Sequence, residues 1–401
     1  VLTAKINPNG SLSSWSSAPS LTTARMGLGA ISVLDNIYAI GGCPQLNVIP
    51  GNYCNSLGQI SKTYQSAGIN NGGDGNIQST WNATSTSLTT PRNAFGSFAF
   101  NGYLYVLGGR GSGSLVNGAE TIVYAPISNT GVVGPWSTMA NPPTTIDDDT
   151  WVFHNGYVYR LGGKGPTNNA FTTTNYAAVC TGTNTTTVFT TNCTTSSSPG
   201  TFSSWNSGAS MTTGRSEFSV VAHNGYLYAL GGCTSSAPRL DWICTTSTNT
   251  VETSQINATT GAPGAWTALS AGNNFNTQRF RHQGVAYNGY AYIVGGCTNI
   301  PNFSSSCDND LFDIQVAKLS GSGLAADAGC GAVWCKQDVI VDARMEFALT
   351  AHNGYMYISG GAEGPYNDVR FAPILPNGAI GSWTKMTSNF TTPRRGHSSV
   401  T

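Results

Sequence analysis

Five histidines are the only side chains of this 401-residue chain with ordinary titration near neutrality. His154, His223 and His352 each stand directly before an Asn-Gly, and His282 and His397 lie in or beside apolar runs. None has the close spacing that brings two imidazoles onto one metal, so all five read as loop-surface or packing residues. The one dense group of carboxylates is Asp147-Asp148-Asp149. Hard oxygen donors suit Ca²⁺; the competing reading is a solvated acidic loop. No glycine-rich phosphate loop and no Ser/His/Asp order is legible. The sequence therefore nominates no catalytic residue and calls for no cofactor.

Arginine is more regular. Arg25, Arg92, Arg215, Arg279, Arg344 and Arg394 recur at one phase of a repeat, and Thr145-Ile146-Asp147 stands where a further copy belongs. Guanidinium forks arranged in a ring are suited to gripping a carboxylate or sulfated sugar. The other reading is that each arginine ties neighbouring repeats together by bonding loop carbonyls. Regular recurrence favours the second, because binding sites usually break a repeat. Glu217 and Glu346 each follow a repeat arginine by two positions, which suggests local Arg–Glu pairs.

The ten cysteines fall into five close pairs: Cys43/Cys54, Cys180/Cys193, Cys233/Cys244, Cys297/Cys307 and Cys330/Cys335. Zinc sites bring two such pairs together with histidine nearby, and that arrangement is absent. Local disulfides in an oxidising compartment fit better than free thiols, each contributing ~2–3 kcal/mol by restricting the unfolded chain. The expected location is secreted or cell-surface, with any leader peptide already removed, since none opens the chain.

Composition narrows the partners. Lys+Arg and Asp+Glu number 18 each and charged residues are 9% of the chain, so no long-range field steers it onto nucleic acid or anionic lipid. No run of about 18 apolar residues is present, so no membrane insertion is expected. Asn9, Asn82, Asn184, Asn192, Asn257, Asn302 and Asn389 open acceptor sequons, and Ser/Thr runs such as 194–198 could carry O-linked sugar. A neutral, hydroxyl-rich exterior suits interaction through sugars and hydrogen bonds.

The elements that must position these residues come from one repeated segment. Asn36–Gly42, Tyr103–Gly109, Tyr157–Gly163, Tyr226–Gly232, Tyr290–Gly296 and Tyr355–Gly361 are near copies, and their final glycines stand 67, 54, 69, 64 and 65 residues apart. Tyr-x-Tyr-x-x-Gly-Gly is a strand stopped by a pair free to turn. Five copies directly follow Asn-Gly, the strongest short hairpin signal, so another strand precedes each; the first copy has Asp35-Asn36 there. Downstream a third strand leads to a turn and a tryptophan: Trp15, Trp81, Trp136, Trp205, Trp266, Trp334 and Trp383 share this phase. A ring there can pack between neighbouring sheets. The unit is strand a, tight turn, strand b ending in Gly-Gly, loop, strand c, turn, and strand d with its tryptophan. Radial repetition of such a unit protects sheet edges.

The Gly-Gly ending, the tyrosines before it, the arginine ahead of strand a and the downstream tryptophan resemble the kelch repeat, over the whole chain. The resemblance implies an all-β, seven-bladed kelch-type β-propeller. It says little of activity, because kelch propellers include oxidases, epimerases, adaptors and structural proteins. Copper oxidase chemistry would need a radical tyrosine with a cysteine partner and two histidine ligands, and every cysteine here has a nearby mate. Approximate blades are 25–84, 92–140, 145–211, 215–270, 279–337 and 344–388, with 392–401 and 1–18 together closing the ring. Counted by type there are seven a strands and seven c–d pairs but six b strands, so the seventh blade's second strand is unaccounted for. Chain beyond Thr401, a strand donated by another subunit, or a three-stranded blade would each explain the gap. The expected function is a non-catalytic extracellular assembly or adhesion scaffold, its partner a protein: further copies of itself, as in a fibre, or a larger parent chain, joined at this seam. The alternative is a carbohydrate-binding or carbohydrate-active propeller using the arginine face.

Overall fold

The computed structural model describes residues 1–43, 60–69, 77, 80–109, 111, 121–143, 146, 148–165, 169–181, 193, 198–236, 244–299, 307, 309–320, 323–325, 330, 332–337, 342–361, 366–386, 389–390 and 393–399. Their regular structure is antiparallel strand, apart from one 3-10 turn at Ala271–Asn273.

Six sheets repeat the path a–b–c–d, each strand pairing with the next. Blade 1 is Gly29–Val33, Asn36–Ile40, Thr63–Gly68 and Asn82–Ser87. Blade 2 is Gly96–Phe100, Tyr103–Leu107, Ile122–Pro126 and Ser137–Met139; blade 3 is Thr150–His154, Tyr157–Leu161, Thr174–Ala178 and Asn206–Ser207. Blade 4 is Ser219–His223, Tyr226–Leu230, Val251–Ile256 and Pro263–Ala268, and blade 6 is Ala348–His352, Tyr355–Ser359, Val369–Pro373 and Thr384–Lys385. Blade 5 has Gln283–Tyr287, Tyr290–Val294 and Ile314–Ser320, with Gly323–Ala325 and Trp334–Gln337 sharing the outer edge of strand c. Successive a strands contact one another from blade 1 to blade 6. They form the hub of a β-propeller, with the d strands at the rim.

The b strands are the most deeply buried. Tyr105, Tyr159, Tyr228 and Tyr292 are wholly enclosed, because a middle strand of a middle layer is covered on both faces. Tryptophans fill the wedge between blades: Trp136 of blade 2 meets Tyr64 of blade 1 edge-on at 5.8 Å, and Trp266 of blade 4 packs with Tyr157 and Tyr159 of blade 3. A second regular contact runs from blade to blade. Tyr38, Tyr159, Tyr228 and Tyr292 donate their hydroxyls to the carbonyls of Gly131, Gly261, Gly323 and Gly378, each in the c–d connection of the following blade. Tyr357 of blade 6 makes the same bond to Gly10, at 3.0 Å.

The two ends of the chain meet this pattern from both sides. Leu2–Thr3 pairs with Ser16–Ser17, and Leu2, Ile6, Leu12 and Trp15 pack on the Tyr357 and Phe371 side of blade 6. Residues 393–399 lie between blades 6 and 1: Gly361 donates to the Arg394 carbonyl at 3.0 Å, and Gly27 donates to the Gly396 carbonyl at 3.1 Å.

The first a–b turn differs from expectation by one residue. Val33 pairs with Asn36, so the turn is Leu34-Asp35, and Asn36 opens strand b. A two-residue hairpin loop requires positive φ at both positions, and Leu34 and Asp35 take φ of 49° and 54°. Leucine gains nothing there, being 48% exposed. Replacing the pair with the Asn-Gly of the other blades (Leu34→Asn with Asp35→Gly) is expected to stabilise the protein by about 1 kcal/mol, read as a higher thermal midpoint; an unchanged or lower midpoint would contradict this account.

Candidate functional site: the arginine junctions and the hub

The repeat arginines are interior struts. Arg92, Arg215, Arg279 and Arg344 are 0% exposed. In five blades Nη1 donates to the carbonyl of the glycine sixteen residues later, the first of the Gly-Gly pair: Arg25 to Gly41, Arg92 to Gly108, Arg215 to Gly231, Arg279 to Gly295 and Arg344 to Gly360, at 2.7–3.0 Å. The remaining donors reach the start of strand c in the same blade, at Thr63, Thr121, Thr250, Asp313 and Asp368.

The backbone of the same residue joins the blade before it. The second glycine of each pair donates to the carbonyl of the next arginine: Gly42 to Arg92, Gly163 to Arg215, Gly232 to Arg279, Gly296 to Arg344 and Gly361 to Arg394, at 2.8–3.1 Å. The first glycine is required by close approach. A Cβ on Gly41, Gly162, Gly295 or Gly360 would come 2.4–2.6 Å from that same carbonyl, nearer than any substituted residue tolerates, and both glycines take positive φ.

Four of the expected sugar-gripping guanidiniums are therefore enclosed and spent within their own blades. The ligand-binding reading of Arg92, Arg215, Arg279 and Arg344 does not fit this geometry; Arg25 and Arg394 are half-buried. What sequence reading missed is the acids that neutralise them. Glu252 lies 2.6 Å from Arg215 with both partners fully buried. Asp313 sets its two oxygens 2.9 Å from Arg279, and Asp368 sets its own 2.7 and 2.8 Å from Arg344. Part of the signal was available as a phase: Asp313 and Asp368 directly precede strand c, where blade 4 has Thr250, whereas Glu252 stands two positions further along that strand. Burial works against the charge of Asp368, but Arg344 and Arg370 outweigh it and hold the carboxyl at about 2. Burial alone lowers Arg92, which has no acid partner, to about 10.

Two residues beyond each arginine the backbone turns left-handed at the hub. Gly27, Ala94, Asp148, Glu217, Arg281, Glu346 and Gly396 all take φ between 49° and 60°. Amide bonds link them: Ala94 to Gly27, Gly27 to Gly396 and Gly396 to Glu346 on one side, Arg281 to Glu217 and Glu217 to Asp148 on the other. The expected local Arg–Glu pairs are replaced by pairs between blades. Glu217 meets Arg281 of blade 5 and lies 3.8 Å from Lys164 of blade 3, and Arg395 reaches Glu346. Arg215 and Arg344 are already committed to strand c, so the glutamates turn to other blades.

Blade 3, which lacks the repeat arginine, rebuilds the junction. Arg160 on strand b bonds Asp149 and the Ile146 carbonyl, and Lys164, 2% exposed, sits 2.6 Å from Asp148. The calcium reading of the acidic cluster gives way at Asp148 and Asp149, because each already faces a buried cation; Asp147 lies outside the described residues. Desolvation raises the Asp149 carboxyl despite Arg160.

Histidine enters the junction as a packing residue. His282 and His397 stand three residues after Arg279 and Arg394, where Phe95, Phe218 and Phe347 stand in other blades, against the first glycine of the preceding pair. Burial, helped by the nearby arginine, pushes His282 down to about 3 and His397 to about 4; His397 also bonds the Ser359 hydroxyl at 2.9 Å. Burial likewise lowers His154, with His223 adding to it.

Four cysteine pairs are bridged: Cys180–Cys193, Cys233–Cys244, Cys297–Cys307 and Cys330–Cys335. Cys43 is also disulfide-bonded, and its expected partner Cys54 lies outside the described residues. Cys43, Cys233 and Cys297 each directly follow a Gly-Gly and pair back to the residue after the arginine, at Met26, Ser216 and Phe280. These three cysteines thus anchor their bridges on the face where the junctions lie, whereas Cys180 follows the opposite end of strand c, beside the Gly156 turn. Cys297, Cys307 and Asp310 cluster closely enough for a metal, but both sulfurs are tied up in their bridge.

Residues 214–252 match the kelch motif, and they hold the Arg215, Gly231-Gly232 and Glu252 junction of blade 4. The chain is a β-propeller that carries a kelch motif. A solved structure described as that of YjhT superposes with a TM-score of 0.56 at 13% identity, over 92% of this chain and 99% of that one. At that identity the likeness concerns the propeller fold alone. No curated protein matches the chain.

Two outcomes follow for the junctions. Arg344→Ala leaves the Asp368 carboxylate buried without its main partner and is expected to cost about 3–5 kcal/mol, measured by chemical denaturation; a loss under 1 kcal/mol would show the pair to be incidental. Acid should also unfold the propeller progressively. Free histidine protonates near ~6.5, so below that pH the unfolded chain binds more protons than the folded one. Stability contributed by neutral His282 and His397 is complete above that value and is lost as pH falls towards 4 and 3. Asp368 adds a loss that begins below about 4 and runs towards 2. The double variant His282→Phe, His397→Phe is expected to flatten the thermal midpoint between pH 6.5 and 4; an equally steep profile would place the acid sensitivity elsewhere.

Proposed function

We propose that this kelch propeller is a non-catalytic, extracellular protein-interaction scaffold whose wheel has seven blades, the seventh shared by the two ends of the chain and completed by a strand from a neighbouring molecule. The observation that carries this is the phase of residues 393–399. Arg394 takes a bond from Gly361 as Arg92, Arg215, Arg279 and Arg344 do from their preceding blades, and Gly396 occupies the same left-handed hub position as Gly27 and Glu346. Ser398 donates to the Leu28 carbonyl as Ser219 does to His282 and Thr150 to Phe218, one blade to the next. Leu2–Thr3 and Ser16–Ser17, with Trp15 before them, have the phase of strands c and d, and no strand b is present between them and residues 393–399 among the described residues.

Disulfides persist in oxidising surroundings, which supports the extracellular setting, and no helix among the described residues is long and apolar enough to cross a membrane. Asn9, Asn82, Asn257 and Asn389 are exposed at sequons and are the positions expected to carry glycan if the source glycosylates; Asn184, Asn192 and Asn302 lie outside the described residues. The arginine-based carbohydrate reading is the weaker one, because most of its carriers are enclosed.

Negative-stain imaging of the purified protein over a range of concentrations tests the proposal. Particles joined in lines, with a wheel of seven lobes in face view, are expected. Compact single wheels at every concentration that bind glycans on an array would sink it.

A further inference from the structure

The seam between residues 393–399 and the N-terminal strand pair carries an unmet hydrogen-bonding pattern, and that pattern specifies what fits it. Five repeat arginines give Nη1 to the first carbonyl of a Gly-Gly pair. Among the described residues the Arg394 guanidinium has no hydrogen-bond partner, although its backbone is bonded at both ends, to Tyr366 and Gly361. It instead lies 4.8 Å over the Phe390 ring, and burial lowers its pKa. At the other side of the seam stands Arg25. Five arginine carbonyls accept the amide of a second glycine, but no described amide donates to that of Arg25. A donor and an acceptor are thus left over at one place, and both are the complement of a single element, the Gly-Gly end of a strand b.

We infer that the seam is a receptor for a β-strand ending in Gly-Gly and supplied from outside residues 1–401. The inference rests on the seven-blade reading. The strand runs antiparallel to residues 398–399 and to Leu2–Thr3. Its first Gly carbonyl accepts from Arg394, and its second Gly amide donates to the Arg25 carbonyl. No Cβ is tolerated at the first glycine, for the reason seen where Gly41, Gly162, Gly295 and Gly360 press on the next arginine carbonyl. The six Tyr/Gly-Gly segments within this chain are not available for the role, since each is held between strands a and c of its own blade. Continuity with five existing junctions, rather than an exposed apolar face, defines the ligand.

The test uses residues 1–401 and a labelled synthetic peptide with the sequence of residues 101–109, Asn-Gly-Tyr-Leu-Tyr-Val-Leu-Gly-Gly. Fluorescence anisotropy is expected to show saturable binding. Binding should weaken about tenfold or more when both peptide glycines become alanine, or when the protein carries Arg394→Ala, the loss expected for a charge-assisted hydrogen bond. Arg395→Ala, which leaves the seam's donor in place, should bind as the parent does. The peptide variants keep the test sound if Arg394→Ala folds poorly. Equal binding of the Gly-Gly and Ala-Ala peptides, or no binding, overturns the receptor. Particles that assemble in lines and are not dispersed by excess peptide would overturn it while leaving the scaffold standing. A peptide that binds while particles stay single would support the receptor and remove the fibre. Failure to bind protein isolated from its source, alongside binding to residues 1–401, would show the strand already seated in the native protein and support the receptor.

Discussion

Everything in this propeller depends on two blades sharing one peptide group. The carbonyls of Arg92, Arg215, Arg279 and Arg344 each accept from the second glycine of the blade before, while their side chains reach back across the blade to the first glycine of their own pair. One residue thus fixes the end of strand b, the start of strand c and the distance to the neighbouring blade. The contact works only if nothing projects from the first glycine. The Gly-Gly pair therefore records close packing between blades as much as the end of a strand.

Enclosing a guanidinium in that position is expensive, and the chain offsets the cost in different ways. Arg92 meets only carbonyls and hydroxyls, so burial depresses its basicity. Arg215, Arg279 and Arg344 are matched by Glu252, Asp313 and Asp368, which are themselves enclosed. Blade 3 gives up the arginine altogether and draws Arg160 and Lys164 from strand b and the loop after it. Three chemical solutions at one geometric position indicate that the geometry is what the fold requires. A paired buried charge adds little net stability, but removing one member is costly, so the junctions are brittle under acid and under mutation.

A second, weaker circuit runs further out. Strand-b tyrosines hand their hydroxyls to the c–d connections of the next blade, from Tyr38 to Gly131 through to Tyr357 and Gly10. The blade 2 tyrosine is the exception. The Tyr105 hydroxyl has no partner among the described residues, and its ring stacks with Phe98, Tyr124 and Phe202. Dispersion among four rings holds it there.

Much of this was readable from residue order. The Tyr-x-Tyr-x-x-Gly-Gly copies, their Asn-Gly turns and the phased tryptophans determined the strand order within the six described blades, because side-chain alternation and two-residue turns are local constraints that any neighbour must accept. The cysteine pairs were legible for the same reason, their loops being short. Residue order could not decide which arginine donors were free for a ligand, which glutamate met which cation, or that Leu34 rather than Asn36 fills the first turn. Those outcomes depend on how closely one blade approaches the next. That distance is set by packing between segments some sixty residues apart, and it appears only when the sheets are assembled around the hub.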